Sequence, residues 1–121
     1  MKTILFIEDE EGLLQSVTHL LREQGYNVVS VQRAEEALDH LLTLTPDLIL
    51  ADIKLPGIDG FDFFNHVKAN DDWKNIPVVF LTAFNNVQAM AYAKKLGVRE
   101  YITKPFDFEY LITRVKALLS P

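Results

Sequence analysis

Five short apolar runs are separated by stretches of a different period, and this alternation constrains the chain more than any other feature. The runs cover residues 4–7, 28–31, 48–51, 78–81 and, more briefly, 101–102. They are rich in branched residues and carry no polar alternation, which is the pattern of strands covered on both faces. Between them the apolar spacing changes to three and four. Leu13, Leu14, Val17, Leu20 and Leu21 mark a first helix, with Gly25 as its stop. Ala34, Ala37, Leu38, Leu41 and Leu42 mark a second that runs toward Pro46, and Phe61, Phe64 and Val67 a third. Val87, Met90, Ala93 and Leu96, ended by Gly97, mark a fourth, and Leu111, Ile112, Val115, Leu118 and Leu119 a fifth. Strands that alternate with helices in this way pair in parallel through right-handed crossovers. The expected fold class is therefore α/β, a three-layer doubly wound sheet with five strands and five helices.

Length and composition fit that architecture. A chain of 121 residues with 49% hydrophobic and 24% charged residues fits one domain with a shared core, and residues 1–121 read as a single unit without linker or repeat. A formal net charge of −5 argues against direct nucleic-acid binding, which needs an excess of Lys and Arg. Cysteine is absent, which removes disulfides, thiolate metal sites and cysteine nucleophiles. The first apolar run meets Glu8 after four residues, too soon for a signal peptide, and no run approaches membrane-spanning length. A cytoplasmic location without membrane contact is the expectation.

In a doubly wound fold the functional crevice lies at the carboxyl ends of the strands. The first strand there runs into Glu8 and Asp9, with Glu10 and Glu11 beyond, and the third into Asp52. The fourth ends at Thr82 and Ala83, and the fifth runs into Lys104 and Pro105. Crowded carboxylates repel unless a cation joins them or their pKa values rise. A hard divalent ion such as Mg²⁺ (or Mn²⁺) takes carboxylate oxygens, and a lysine adds a fixed positive charge. That set suits phosphoryl transfer to a carboxylate, which depends on alignment and charge neutralisation. Asp52 lies deepest, closing an apolar strand, and is the expected nucleophile, with Asp9 and Glu8 as metal ligands.

Taken singly, each residue has a plainer reading. An acidic pair at a strand end is often a solvated cap, and Thr82 alone is an ordinary strand-end threonine. Glu10 and Glu11 fit the first turn of a helix, where the dipole favours acids. Tyr101 could be a half-buried strand residue. Phe61, Phe63 and Phe64 read as a packing face, Gly57 and Gly60 as turn residues, and His19, His40 and His66 as surface residues on separate helices. Trp73 reads as a loop anchor.

In order, Glu8-Asp9, Asp52-Ile-Lys-Leu-Pro56-Gly57-Ile-Asp-Gly60, Val79-Phe-Leu-Thr82-Ala83 and Tyr101-Ile-Thr-Lys104-Pro105-Phe106 resemble the receiver domain of bacterial two-component response regulators over the whole chain. The resemblance implies a flavodoxin-like, chemotaxis-receiver-like fold with sheet order 2-1-3-4-5. It implies that Asp52 accepts a phosphoryl group from a phosphohistidine of a sensor histidine kinase or histidine phosphotransfer protein. Asp9 and Asp52 would ligate Mg²⁺ directly, Glu8 through water, and the Lys54 backbone carbonyl would complete the set. Lys104, Thr82 and the Ala83 amide would contact the phosphoryl oxygens. Tyr101 would be the aromatic switch that follows Thr82, and the peptide before Pro105 would be cis. Glu8 departs from the aspartate often found first in the acidic pair. Lys54 and Phe84, each two residues past a site residue, occupy positions that tune phosphoryl loss, and bulky Phe84 is expected to slow water.

Such a protein is a switch with self-directed chemistry and no enzyme activity toward other substrates. A haloacid-dehalogenase-like phosphatase would need an acid where Lys54 stands. A flavodoxin-like electron carrier would need a phosphate loop where Glu8 and Asp9 stand. A degenerate receiver, acting only through contacts, would lack one of the site residues. The expected output face joins the fourth helix, fifth strand and fifth helix, through a homodimer or a partner, with Lys94, Lys95 and Arg99 as a basic flank. The stretch 104–119 resembles receivers joined to winged-helix DNA-binding domains. A stand-alone shuttle and the front of a longer regulator both fit.

Overall fold

The computed structural model describes residues 1–120. Five parallel strands, β1 (Thr3–Ile7), β2 (Asn27–Val31), β3 (Leu48–Ala51), β4 (Val78–Thr82) and β5 (Glu100–Thr103), pair in the order β2-β1-β3-β4-β5. Five helices alternate with them: α1 (Glu11–Glu23), α2 (Ala34–Leu41), α3 (Gly60–Ala69), α4 (Val87–Leu96) and α5 (Phe108–Leu119). Among the described residues no helix is long and apolar enough to cross a membrane.

The alternation of side chains along each strand creates two cores. Leu5, Ile7, Ile49, Ala51, Val78 and Phe80 face α2, α3 and α4, which contribute Ala34, Ala37, Leu41, Phe63, Phe64, Val67 and Ala93. Ile4, Phe6, Leu48, Leu50, Val79 and Leu81 face α1 and α5, which contribute Val17, Leu21, Leu111, Val115 and Leu119. Every residue of β3 and β4 is buried, whereas β5 lies at an edge with only Ile102 buried. Burial on both faces explains why the runs lack polar alternation. On the edge, Arg114 of α5 grips Glu100 with its Nε 2.8 Å from Oε1 and its Nη2 2.8 Å from Oε2.

The helices start on caps that the sequence supplies. Asp59, Asn86 and Asp107 each accept a backbone N–H from the first turn of α3, α4 and α5, at 2.9, 2.8 and 2.8 Å. Gly97 ends α4 in the left-handed region at φ 97°, where a side chain would be strained. Glu10 precedes α1 as its cap, not as part of its first turn, and accepts from the amides of Gly12 and Leu13.

Two further sequence expectations need correction. Helix α2 stops at Leu41, and Leu42, placed on its apolar face by spacing, is 73% exposed. On α4 the expected inward face holds only in part, with Ala93 buried and Leu96 packed against the core. Val87 and Met90 are exposed, and the buried residues are Ala89 and Ala93. Small side chains let that helix approach the sheet, and its larger apolar residues turn toward a cavity of about 540 Å³ beside β5.

Candidate functional site

The sheet's hydrogen-bond ladder extends one residue past three of its strands, and those residues are functional candidates. Glu8 donates its amide to the Val31 carbonyl at 3.0 Å, Asp52 to Ile7 at 3.1 Å and Lys104 to Thr82 at 2.8 Å. Each backbone is thus anchored by the neighbouring strand before its side chain turns up to the edge. Parallel pairing then forces residues far apart in sequence onto that edge.

There they meet. The Lys104 ammonium donates to Glu8 Oε1 at 2.6 Å and to Asp52 Oδ2 at 2.8 Å. Glu8 is 1% exposed and Asp52 6% exposed, so this is a nearly dry three-member ion pair. The remaining oxygens are occupied too. Glu8 Oε2 accepts from the Glu10 amide at 3.0 Å and Asp52 Oδ1 from the Ile53 amide at 2.6 Å. Burial pushes the Glu8 carboxyl above its ordinary value, against the opposing pull of Lys104 and the Glu10 amide. For Lys104, burial acts to lower the value, but the hydrogen bonds to Asp52 and Glu8 outweigh it and hold the ammonium above the ordinary lysine range. The short direct contact between Glu8 and Lys104 was not foreseen from sequence, which placed Glu8 behind water on a metal.

Glu8, Asp9 and Asp52 each offer a carboxylate oxygen within 4.8 Å of the others, with Asp9 exposed and the other two buried. One ammonium cannot neutralise three carboxylates. The donor set is all oxygen, carries an excess of negative charge and opens to solvent on the Asp9 side, which fits a hard divalent cation such as Mg²⁺.

Around this centre stand the remaining candidates. Thr82 is fully buried, and its Oγ1 accepts from the Phe84 amide at 3.1 Å. Ala83 is exposed beside it. The Lys54 ammonium sits 4.5 Å from the centroid of the Phe84 ring. Tyr101 donates its hydroxyl to the Phe84 carbonyl, and its ring meets Phe80 edge-on at 6.1 Å. Burial raises the Tyr101 phenol above its ordinary value, with the negative charge of Asp52 adding to the shift. The Lys104–Pro105 peptide is cis.

Gly60 is a site residue that the sequence reading assigned only to a turn. Its amide donates to the Ile53 carbonyl at 2.8 Å. A Cβ there would lie 2.4 Å from the Asp52 carbonyl oxygen and 2.7 Å from Ile53 Cα. Asp59 already caps α3, so a glycine at the next position was surplus to capping needs. That surplus is the signal that would have flagged a close approach. Glu35 adds a second support, accepting the Ile58 amide at 3.3 Å. His19, His40 and His66 are all exposed, and Trp73 packs against the α2–α3–α4 core.

Comparison with known proteins agrees with this geometry. A family model for the response regulator receiver domain matches residues 4–116. The phosphate regulon transcriptional regulatory protein PhoB of Escherichia coli is 36% identical over 118 residues, covering 98% of this chain and 52% of PhoB. The sporulation initiation phosphotransferase F of Bacillus subtilis is 31% identical over 116 residues, covering 96% of this chain and 92% of that protein. The sensory transduction protein BceR of Halalkalibacterium halodurans is 31% identical, covering 98% of this chain and 50% of BceR. This chain thus spans about half the length of most of the curated relatives compared here. Among solved structures, the non-phosphorylated HemR receiver domain of Leptospira biflexa superposes with a TM-score of 0.92 at 30% identity, covering 100% of this chain and 96% of that one. A putative response regulator from Chloroflexus aurantiacus gives 0.91 at 32% identity, covering 99% and 98%. The residues at the strand ends, the sheet order and the extent of these matches lead to one family, and the chain belongs to the response regulator receiver domains.

Proposed function

We propose that residues 1–121 act as one receiver unit that takes a phosphoryl group onto Asp52 from a phosphohistidine of a sensor kinase or phosphotransfer protein. The observation that carries this reading is the Lys104 ammonium shared between two buried carboxylates at 2.6 and 2.8 Å. A lysine so placed faces the oxygens on which negative charge accumulates when a phosphoryl group arrives. Asp52 is the nucleophile because the Ile53 amide fixes one of its oxygens, its own amide is bonded to β1, and the next residue, Ile53, is bonded to the start of α3. Thr82 and the Ala83 amide stand at the adjacent strand end to receive phosphoryl oxygens. For Thr82 this means surrendering the bond from the Phe84 amide, which gives Tyr101 a reason to respond.

Asp9, Asp52 and the Lys54 carbonyl would hold Mg²⁺, with Glu8 behind them. The ion supplies charge neutralisation for the incoming phosphoryl group. The chemistry is self-directed, with loading and loss on one aspartate and no turnover of another substrate. A phosphatase of the haloacid dehalogenase type is disfavoured because Lys54, exposed and stacked on Phe84, stands where that class needs an acid. We further assign the output to the α4–β5–α5 face, through a homodimer or a partner, in the cytoplasm.

Intact mass after incubation with Mg²⁺ and acetyl phosphate tests the central step. Wild type gains one labile phosphoryl group only when Mg²⁺ is present, and Asp52→Asn gains none. If wild type stays unmodified with several donors and does not bind fluoroberyllate, the assignment of Asp52 fails.

A further inference from the structure

The segment that joins β2 to α2 contributes no residue to the proposed site, yet it holds both loops that supply the proposed metal oxygens. Val31, the last residue of β2, accepts the Glu8 amide at 3.0 Å, which carries the β1–β2 ladder one residue past β1. Asp9 lies beyond that bond and is exposed, and the Gln32 side-chain amide donates to its carbonyl at 3.3 Å. Three residues on, Glu35 in the first turn of α2 reaches the loop after β3. Its Oε2 accepts the Ile58 amide at 3.3 Å, and Arg33 Nη2 stands 3.9 Å from the same oxygen. A Cβ at Gly57, whose φ is 77°, would collide with that oxygen, so the carboxylate rests directly over a position where glycine leaves it room. Gln32 and Glu35 therefore join the β1–α1 loop to the β3–α3 loop through a segment that belongs to neither.

Asp9 stands on the first of these loops, and Asp52 and the Lys54 carbonyl on the second. Backbone pairing between β1 and β3 ends at the bond from the Asp52 amide to the Ile7 carbonyl, so the ladder does not reach Asp9 or Lys54. We propose that Gln32 and Glu35 are positioning residues that act as one bracket, fixing the separation of Asp9 from the Lys54 loop and so favouring Mg²⁺ over Ca²⁺. The inference rests on the reading that Asp9, Asp52 and the Lys54 carbonyl hold the ion. Mg²⁺ demands nearly ideal octahedral oxygens at about 2.0–2.1 Å, whereas Ca²⁺ accepts irregular sets at about 2.3–2.6 Å. A donor set held at fixed spacing discriminates between them, and one that is free to spread loses Mg²⁺ first. Neither residue touches the ion, and each acts through the main-chain atom that it holds.

Titration of the backbone amide NMR shifts of the unphosphorylated chain with Mg²⁺ and, separately, with Ca²⁺ tests the bracket. Gln32→Ala and Glu35→Ala are each expected to raise the Mg²⁺ Kd about two- to fivefold, the scale of one polar bond. The Ca²⁺ Kd is expected to change by less than about twofold in both, because that ion tolerates a looser set. Glu35→Gln keeps an oxygen for the Ile58 amide while removing the charge, and it binds Mg²⁺ as wild type does. The double alanine variant is expected to bind Mg²⁺ no more than about twofold more weakly than the weaker single variant, because cutting either arm releases the same span. Equal weakening for both ions, or a Glu35→Gln variant that matches Glu35→Ala, would reduce Glu35 to its charge and overturn the bracket. Unchanged Mg²⁺ binding in the alanine variants, or single effects that multiply in the double, overturns it too. A wild type that binds neither ion overturns the metal assignment instead, so the two failures are distinct.

Discussion

Helices α3 and α4 are each ten residues long, cover the same face of the sheet and begin on a side-chain cap, yet they are held differently. Helix α3 buries Phe63, Phe64 and Val67, and its first residue touches the peptide of Asp52. Helix α4 buries only Ala89 and Ala93, with a cavity on its β5 side and Val87 standing 81% exposed. Two phenylalanines and a valine take far more apolar area from water than two alanines, so the stabilisation differs by several kcal/mol at about 25 cal/mol per Å². Their meeting point is aromatic, with Phe61 edge-on to Tyr92 at 5.1 Å and to Phe80 at 5.3 Å. The Asp52 side of the site is therefore built on a tightly packed helix and the Tyr101 side on a loosely packed one. A domain that must hold a reactive group still while changing its surface benefits from that division.

The contrast can be broken most forcefully at Phe63, which is fully buried. Phe63→Ala is expected to cost about 3–5 kcal/mol in urea unfolding, the range for emptying a buried aromatic site. A loss below 1 kcal/mol would show that α3 is no better packed than its neighbour. Ala93→Gly on α4 is expected to cost about 1 kcal/mol, mostly through helix propensity. The same difference should sharpen in hydrogen exchange, where α4 amides open with a smaller free energy than those of α3. Equal protection along both helices would contradict the proposed division.

The smallest effect concerns Tyr101, beside the cavity under α4. Its phenol is raised by burial and by Asp52, so the folded chain holds that proton more tightly than the unfolded chain does. Its contribution to stability is complete below the ordinary tyrosine value of about 10 and is lost as pH rises from there through the folded value. Phenolate absorbance, taken as the difference between wild type and Tyr101→Phe, should show Tyr101 ionising above the ordinary tyrosine value of about 10. Tyr26, also raised by burial, is removed from the signal by a Tyr26→Phe background. Ionisation at the ordinary value would mean that the ring is freely solvated and that α4 shields it little.

Most of the architecture was legible because it depends on one-dimensional patterns. Buried β1, β3 and β4 announce themselves as unbroken apolar runs, and the gathering of Glu8, Asp52 and Lys104 follows once parallel strands end at one edge. What escaped depends on side-chain directions across long separations. No spacing rule places Glu8 on Lys104, 96 residues away, or Lys54 on Phe84 across two loops. On α4, Ala93 and Leu96 were placed rightly, but Val87 and Met90 were misassigned because hydrophobicity ranks them above Ala89, whereas close approach to the sheet selected the smaller side chain. Glu10 was assigned to the first turn because the dipole argument does not separate a cap from a residue just inside. The cap is visible only in its bonds to Gly12 and Leu13.

The missing side chain at Gly60 also governs where a reporter group can be attached. With room for only a hydrogen against the Asp52 carbonyl, α3 serves as the jig in which the acceptor is clamped. A dye or a spin label attached at Gly60 would force that contact apart and disturb the proposed chemistry it was meant to watch. Val87 offers the opposite setting, since it is 81% exposed at the start of the helix that holds the sheet least. A probe there would report on the proposed output face from outside and leave Asp52 untouched.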